Sequence, residues 1–304
     1  MFSIIICCYN STSRITKTLL EISKLKTDDF CYEVILVDNN SSDKTSQLAK
    51  DIWQNNGSNT VLKVVYEKIP GQTFARKKGV SHASGQYILF CDDDNWLKDD
   101  YLIKAKKILQ SRQDIGALGG WSEGVFEIQP PEWFLKISNC FAVGGMPDEK
   151  LMEADYIWGA GMIIRSDLAK KIFNQNFSNS GRSGKILTSG DDVEICSKIK
   201  TLNYKVFKSS ELFFKHFITK ERINWNYVKK LHIGFGYSAT EASFTTYGNS
   251  FKYILLQTVR ILIEIFKNPI AFYHFIFQFE GRLGTLRFYS FIGNLQYLTK
   301  KNEN

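Results

Sequence analysis

The sequence predicts an α/β fold in which a mostly parallel sheet is covered by helices. Three observations predict it: strand-like and helix-like segments alternate through the first half, the strand-like segments are continuous apolar runs, and polar residues collect where those runs end. With 304 residues, 44% of them apolar, the chain is long enough to bury a large core. The composition therefore argues against a disordered chain.

Four strands are predicted in order, at 3–8, 32–37, 61–66 and 86–91. Each is apolar almost throughout, as expected of strands buried on both faces. Helix-like segments separate them, which makes a series of β-α units. From 115 to 164 the pattern is irregular and contains paired glycines and prolines, which predicts long surface loops around an edge strand.

The charge is unevenly distributed along the chain. The formal net charge is +8, and from 222 to 304 ten Lys and Arg stand against four Glu and no Asp, so +6 of the excess lies in this tail. A basic tail favours an anionic partner such as a nucleotide or an acidic lipid. The six cysteines form no CxxC pair, and we expect reduced thiols in the cytosol. We also expect no secretory signal at the N-terminus.

The tail has a helical period. Its first segment carries one polar stripe on an otherwise apolar surface, formed by Gln257, Arg260, Glu264 and Lys267. Two interpretations stay open for 250–292: helices that lie on a membrane surface, or a helical hairpin packed on the preceding domain or on a second subunit, including a homo-oligomer. Charges and Pro269 leave no uncharged run of the roughly 20 residues that a membrane span requires.

Three consecutive aspartates follow the fourth predicted strand. Asp92, Asp93 and Asp94 would repel one another without a cation, and carboxylate oxygens are ligands that Mg²⁺ or Mn²⁺ accepts. The diphosphate of a bound substrate would complete the coordination shell. The alternative is an acidic turn before the helix that starts near Lys98. Ligands of open parallel sheets bind beyond the carboxyl ends of the strands, where these residues lie.

Four segments in this order carry a resemblance: ICCYNSTSRI, VILVDNNSSDKT, GQTFARKKGVSHASGQYILFCDDDN and GDDVEIC. Together they resemble the family 2 glycosyltransferases of GT-A fold, over residues 3 to about 216. The resemblance implies a Rossmann-like GT-A catalytic domain at 1–220, with a nucleotide-binding half at 1–115 and an acceptor half at 116–220. It leaves 221–304 as an amphipathic helical extension.

The resemblance also implies an inverting sugar transfer. The donor would be a nucleoside-diphosphate sugar, with a UDP-sugar expected first, and the acceptor a hydroxyl of a growing, lipid-linked or free surface glycan. Mn²⁺ or Mg²⁺ would be the cofactor. The protein would be cytoplasmic and peripheral on the inner face of the membrane. The identities of the sugar and the base, the linkage and the oligomeric state stay open.

The resemblance also implies roles for residues at the positions that match the family's motifs. The donor nucleotide would be bound by Cys8, Tyr9, Asn10, Asp38, Arg76, Asp92 and Asp93. The metal would be held by Asp94, Asp92 and His216, and a half-buried structural histidine is the alternative for the last. Asp192 would be the general base. Asp191 stands at the position where the family usually has Glu, so which acid of the pair is the base stays open. Trp121, Trp158 and Gly159 would lie on the acceptor side.

Other function classes lack their signatures. A P-loop enzyme needs GxxxxGK followed by Ser or Thr, and SGRSGKIL has Ile186 after the lysine. The first strand is followed by no GxGxxG, which a dinucleotide enzyme needs, and no nucleic-acid recognition motif occurs. The remaining alternative is a catalytically inactive sugar-nucleotide-binding subunit of a polysaccharide assembly complex. The acids at 92–94 and 191–192 argue against it.

Overall fold

The structure is a computed structural model that describes residues 1–58, 60–177, 187–247 and 250–302. The chain divides into two compact units. The first contains Met1–Glu127, Ser138–Phe177 and Asp191–Ile218, and the second contains the remaining described residues, chiefly those after Thr219. The sheet belongs to the first unit, and the second is helical.

The described strands are β1 (Phe2–Cys8), β2 (Tyr32–Asp38), β3 (Leu62–Tyr66), β4 (Tyr87–Asp92), β5 (Asn95–Leu97), β6 (Ile115–Phe126), β7 (Leu151–Glu153), β8 (Ile163–Arg165) and β9 (Lys205–Ile218). The described α-helices are α1 (Ile15–Ile22), α2 (Thr45–Asn55), α3 (Gln72–His82), α4 (Tyr101–Ser111), α5 (Glu132–Leu135), α6 (Ser166–Phe173), α7 (Asp191–Thr201), α8 (Trp225–Tyr247), α9 (Ser250–Lys267), α10 (Pro269–Ile276) and α11 (Leu286–Asn302).

Within the described residues the strands form one sheet in the order β3-β2-β1-β4-β8-β6-β9-β5, with β7 paired to β9. β1 to β4 are mutually parallel, β8 is antiparallel to β4 and β6, and β9 is parallel to β6. Six strands therefore run in one direction, and β5, β7 and β8 run in the other. This confirms the predicted α/β class with a mostly parallel sheet.

The sheet separates two apolar layers. Because side chains alternate along a strand, Ile4 and Ile6 of β1 pack into one layer and Ile5 packs into the other. The first layer is completed by α1, α2 and α4, and the second by α3, α6 and α7. The chain thus changes sides between β2 and β4, which places a topological switch point at the carboxyl ends of β1 and β4.

The stretch from 115 onward differs from the predicted loops around an edge strand. β6 is 12 residues long and lies inside the sheet, between β8 and β9. Gly119 and Gly120 belong to this strand: a Cβ on Gly120 would meet the backbone of Leu212, and a Cβ on Gly119 would meet Ile157. The prediction is wrong because these glycines permit close packing and a register shift rather than a turn.

The second unit contains α8 to α11 and the short α5. α8 and α11 pack closely, because a Cβ on Gly236 would meet the backbone of Ser290 and a Cβ on Gly293 would meet that of Ile233. Phe272 and Phe275 of α10 pack their rings against Phe288 of α11, with centroid distances of 5.5 and 5.1 Å. In the part of the chain that the structure describes, the helices are too short or too polar for any of them to span a bilayer.

Candidate active site

The candidate site lies at the carboxyl ends of β1, β2 and β4. The parallel register places Asp38 beside Cys8 and Asp92 beside Cys7. The loops after these strands carry the predicted nucleotide-binding residues, so the sheet brings together side chains that are about 80 residues apart in sequence. This convergence follows from strand order alone.

The loops after β1 and β2 are joined by polar side chains. Asn10, at a positive φ of 48°, accepts a hydrogen bond from the Ser42 amide at 2.8 Å through Oδ1. Asp38 is buried, accepts from the Ser41 amide at 2.9 Å and is bonded by the Ser46 hydroxyl. Asp38 therefore closes its own loop as in an Asx-turn, whereas Asn10 joins the loop after β1 to the loop after β2. Tyr9 is 59% exposed, so its aromatic ring is accessible at the carboxyl end of β1.

Four of the predicted donor-binding residues are buried, and Cys8 and Asp93 are two of them. Cys8 is 1% exposed in the apolar core, and burial raises its pKa well above the ordinary value. Asp93 is 8% exposed and is held by Arg14, whose Nη2 lies 2.7 Å from Oδ2, and by the Ser11 hydroxyl. Burial favours a core-packing role for Cys8, and the contacts with Arg14 and Ser11 favour a supporting role for Asp93, which they fix between Asp92 and Asp94.

Arg76 of α3 lies between two acids. Its side chain is 3% exposed, its Nη1 donates to Asp191 Oδ2 at 2.6 Å, and its Nη2 is 3.8 Å from Asp92 Oδ1. Burial acts to lower the pKa of Arg76, but the charges of Asp191 and then Asp92 more than offset it, so the pKa is raised. Gln72, one helical turn earlier, donates to Asp92 at 3.3 Å. Gln72 and Arg76 are four residues apart and therefore share a helix face, so the sequence spacing could have indicated that Gln72 also contacts the site.

Asp191 and Asp192 begin α7 and have different environments. Asp191 is buried and bound to Arg76, whereas Asp192 is half-buried and accepts from the amides of Gly159 at 3.4 Å and Val193 at 2.8 Å. Burial, and then the neighbouring charge of Asp191, raise the pKa of Asp192 to about 6 against the opposing effect of Arg76. A carboxylate with a pKa near neutrality is suited to accept a proton.

Gly159 is placed where a side chain could not fit. A Cβ at this position would collide with the guanidinium of Arg76, while the Gly159 amide points to Asp192. The residue therefore connects the Arg76 ion pair to Asp192 through its backbone. The lack of a Cβ at Gly159 leaves the space that the Arg76 guanidinium occupies.

Asp94 and His216 form a second polar pair. The antiparallel register of β5 and β9 pairs Asn95 with His216, and Phe217 donates its amide to the Asp94 carbonyl at 2.9 Å. His216 Nε2 consequently lies 3.2 Å from Asp94 Oδ1, with both residues buried. His216 Nδ1 is buried and has no hydrogen-bond partner among the described residues. The structure thus brings two of the three predicted metal ligands together and keeps the third, Asp92, beside Arg76.

This pair suits a divalent ion that also binds a substrate. No cluster of three or more His, Cys, Asp or Glu side chains within the described residues is arranged to hold a metal by itself. Mg²⁺ and similar ions commonly take one or two protein ligands and complete their shell with phosphate oxygens and water. A carboxylate and an imidazole in contact fit that donor set, as two protein ligands to a metal–diphosphate.

The predicted acceptor-side tryptophans are held by neighbours in the sheet. Trp121 donates its indole N–H to the Ser210 carbonyl at 2.8 Å and packs on Phe213. Trp158 is half-buried, and Lys208 Nζ lies 4.4 Å from the centre of its ring. Burial lowers the pKa of Lys208. No local pattern predicted Lys208, because it lies 50 residues after Trp158 in the chain and the two meet only in the folded structure.

Comparison with known proteins identifies relatives. The family model described as Glycosyl transferase family 2 matches residues 3–173. The amylovoran biosynthesis glycosyltransferase AmsB of Erwinia amylovora is 27% identical over 237 residues, which is 72% of this chain and 70% of AmsB. Three other curated glycosyltransferases are matched over shorter stretches, and the chain spans only 27%, 14% and 36% of their lengths.

Solved structures share the fold. The mannosyltransferase PcManGT from Pyrobaculum calidifontis, in complex with GDP-Man and Mn²⁺, superposes with a TM-score of 0.65 at 16% identity, covering 99% of this chain and 87% of that chain. TarS of S. aureus in complex with UDP-GlcNAc gives a TM-score of 0.54 at 20% identity, over 79% of this chain and 69% of that chain. At these identities the likeness confirms the predicted GT-A fold and no more.

Proposed function

We propose, since the chain belongs to glycosyl transferase family 2, that it transfers a sugar from a nucleoside-diphosphate donor to an acceptor hydroxyl with inversion at the anomeric carbon. The observation that carries the proposal is that the two adjacent acids of α7 have different environments. Arg76 neutralises Asp191, and Asp192 is left as a carboxylate with a pKa near neutrality. Catalysis is assigned to residues 1–220, and 221–304 is the helical extension.

In the proposed reaction Asp192 is the general base. The acceptor oxygen forms a bond to the anomeric carbon while the bond from that carbon to the diphosphate oxygen breaks. The hydroxyl proton passes to an Asp192 oxygen, and the electron pair of the broken bond leaves with the nucleoside diphosphate. The Gly159 and Val193 amides orient the Asp192 carboxylate, because they donate to its two oxygens.

Asp94 and His216 are the proposed protein ligands of the divalent ion, with Asp92 adjacent to the ribose. When bound, Mn²⁺ or Mg²⁺ would neutralise charge that develops on the leaving diphosphate. Tyr9, Asn10 and Asp38 are proposed to line the nucleoside pocket at the switch point. Arg76 is held by two carboxylates in the structure, which supports a role in fixing those acids in addition to any contact with the donor phosphates.

The substrates are proposed from chemistry and from relatives. TarS was solved with UDP-GlcNAc and PcManGT with GDP-Man, so both bases occur on this fold. We propose a UDP-sugar as donor. The name of AmsB places that protein in amylovoran biosynthesis, which supports a growing surface glycan, free or lipid-linked, as acceptor. Lipid-linked acceptors would place the enzyme at the cytoplasmic face of a membrane.

A screen of UDP- and GDP-sugars tests the proposal. The protein is incubated with each donor and Mn²⁺, and released nucleoside diphosphate is measured, with a chelator as the control. We expect metal-dependent release from one class of donor, with water as a slow acceptor. If a donor binds with Mn²⁺ and no nucleotide is released with any acceptor tested, the chain is the inactive binding subunit instead.

A further inference from the structure

One helix of the second unit exposes an apolar stripe. Six large apolar side chains of α9 are 44% to 91% exposed: Leu255, Leu256, Val259, Leu262, Ile263 and Phe266. Their spacing of one, three and four residues places them on a single face of the helix. Phe266, at 91%, has almost no contact with the rest of the described protein. This stripe is therefore not part of the core of the unit.

The exposed surface continues after the break at Pro269. Five more side chains are 44% to 70% exposed: Ile270, Tyr273, Ile276, Phe277 and Phe279. Other residues attach α10 to the unit, because Phe272 and Phe275 pack on Phe288. Two sets of apolar residues are thus present, one that packs the helices and one that is uncovered among the described side chains. Exposed apolar surfaces of this extent mark interaction sites.

The charges nearest to the apolar stripe are positive. At about 100° per residue, Arg260 and Lys267 lie roughly 80–100° from the centre of the stripe, along one of its borders. Both are exposed. Glu264 lies further round the helix, and its carboxylate is paired with Arg287 at 2.5 Å and bonded by Asn268 at 2.7 Å. The border of the stripe therefore presents cations, while the nearby acid is neutralised within the unit.

We propose that the apolar stripe of α9 and the exposed apolar residues at 270–279 bind the surface of an anionic lipid bilayer. The apolar side chains would enter the boundary between headgroups and acyl chains, and Arg260 and Lys267 would reach lipid phosphates at the border. A second copy of the chain is the rival occupant. It carries the same cations beside the same α9 stripe, where the nearest acid among the described residues is Glu264, paired with Arg287. The exposed acid Glu280 lies beyond α10, next to Phe279, so at the α9 stripe the charges favour lipid.

The inference is independent of the proposed catalytic activity, because it requires no residue of the first unit. Its test is co-sedimentation of the full chain with vesicles of phosphatidylcholine alone and of phosphatidylcholine with phosphatidylglycerol. We expect binding that is stronger to the anionic vesicles and weaker when salt is raised from about 0.1 M to about 0.5 M. Donor hydrolysis, measured on the same samples, reports separately on the catalytic proposal.

Variants locate the binding surface. The double variant Leu262→Glu with Phe266→Glu places two acids in the stripe at exposed positions, and we expect at least about a tenfold loss of vesicle partitioning. Val61→Glu is the matched control, because Val61 is 67% exposed and lies in the first unit. Arg260→Gln with Lys267→Gln should abolish the preference for anionic vesicles while binding to neutral vesicles changes little.

Three outcomes would overturn the inference. The wild-type chain could fail to bind either kind of vesicle, or the double variant could bind as well as Val61→Glu does. Alternatively, sedimentation equilibrium could show a dimer of the wild-type chain that the double variant dissociates, with vesicle binding absent from both. The last result would assign the stripe to a second copy of the chain.

Discussion

Arg76 Nη1 lies 2.6 Å from Asp191 Oδ2, and both side chains are buried between α3 and α7. The two residues are 115 positions apart in sequence. This ion pair gives the two adjacent acids of α7 different chemistry, because Asp191 contacts the Arg76 guanidinium whereas Asp192 accepts hydrogen bonds from the amides of Gly159 and Val193. A buried charge that loses its partner is costly, which makes the pair testable by stability as well as by rate.

Removing the cation should destabilise the fold. Arg76→Met leaves Asp191 buried without its counter-ion, and we expect the free energy of unfolding to fall by about 3–5 kcal/mol. Urea denaturation followed by circular dichroism measures this change. Lys77→Met is the matched control, since Lys77 is the exposed neighbour on the same helix, and should change stability by less than about 0.5 kcal/mol. Equal effects of the two substitutions would contradict the account.

The pH dependence of the rate should report Asp192. Because its pKa is raised to about 6, donor turnover should fall as the pH drops below about 6, where the base becomes protonated. The raised pKa also means that the folded state binds more protons than the unfolded state between about pH 4 and pH 6, so this group's contribution to stability falls as pH rises through that window. The measurement is kcat/KM from about pH 5 to pH 8. A profile that stays flat across pH 6 would remove Asp192 as the base.

Gly159→Ala should disturb the site by steric overlap. The added Cβ would meet the Arg76 guanidinium, and we expect a loss of about 1–3 kcal/mol in unfolding free energy together with reduced turnover. Gly57→Ala is the control: its φ is +70°, and its Cβ position is open, so it should cost about 1 kcal/mol and leave turnover unchanged. Wild-type turnover in Gly159→Ala would show that the arrangement around Arg76 does not matter for the reaction.

His216→Ala should weaken the dependence on metal. We expect the Mn²⁺ concentration for half-maximal donor turnover to rise by about tenfold or more, because one of two protein ligands is lost. His82→Ala is the control, since the described hydrogen bonds of the His82 side chain are with Lys78 and Ser81 of its own helix. An unchanged Mn²⁺ requirement in His216→Ala would assign the histidine a structural role.

The sequence predicted the parts of the fold that depend on local pattern. Apolar runs located β1, β2 and β4, and the polar residues after them were expected to converge, as the register of Cys7 with Asp92 now shows. β6 was not predicted, because the reason for its glycines is contact with Leu212 and Ile157, which are distant in sequence. The family resemblance identified Asp191 and Asp192 as candidate bases. It did not predict that Asp191 is paired with Arg76 while Asp192 accepts from backbone amides.

Contacts across the chain explain what the sequence could not indicate about the site. The partner of Arg76 depends on how α3 and α7 pack on the sheet, and the approach of His216 to Asp94 depends on the register of β5 with β9. Asp93 sits between two other aspartates in sequence, and only the position of Arg14 shows that it is bound internally. Spacing alone therefore identified the acidic loop without assigning a task to each acid.

The most direct test of the central claim is Asp192→Asn, assayed for nucleotide binding and for turnover. We expect UDP affinity in the presence of Mn²⁺ to stay within about twofold of wild type, and donor turnover to fall by about 10²–10⁴-fold because the proton acceptor is lost. Asp167→Asn, an exposed acid at the start of α6, should leave both unchanged. Wild-type turnover in Asp192→Asn would contradict the assignment of the base.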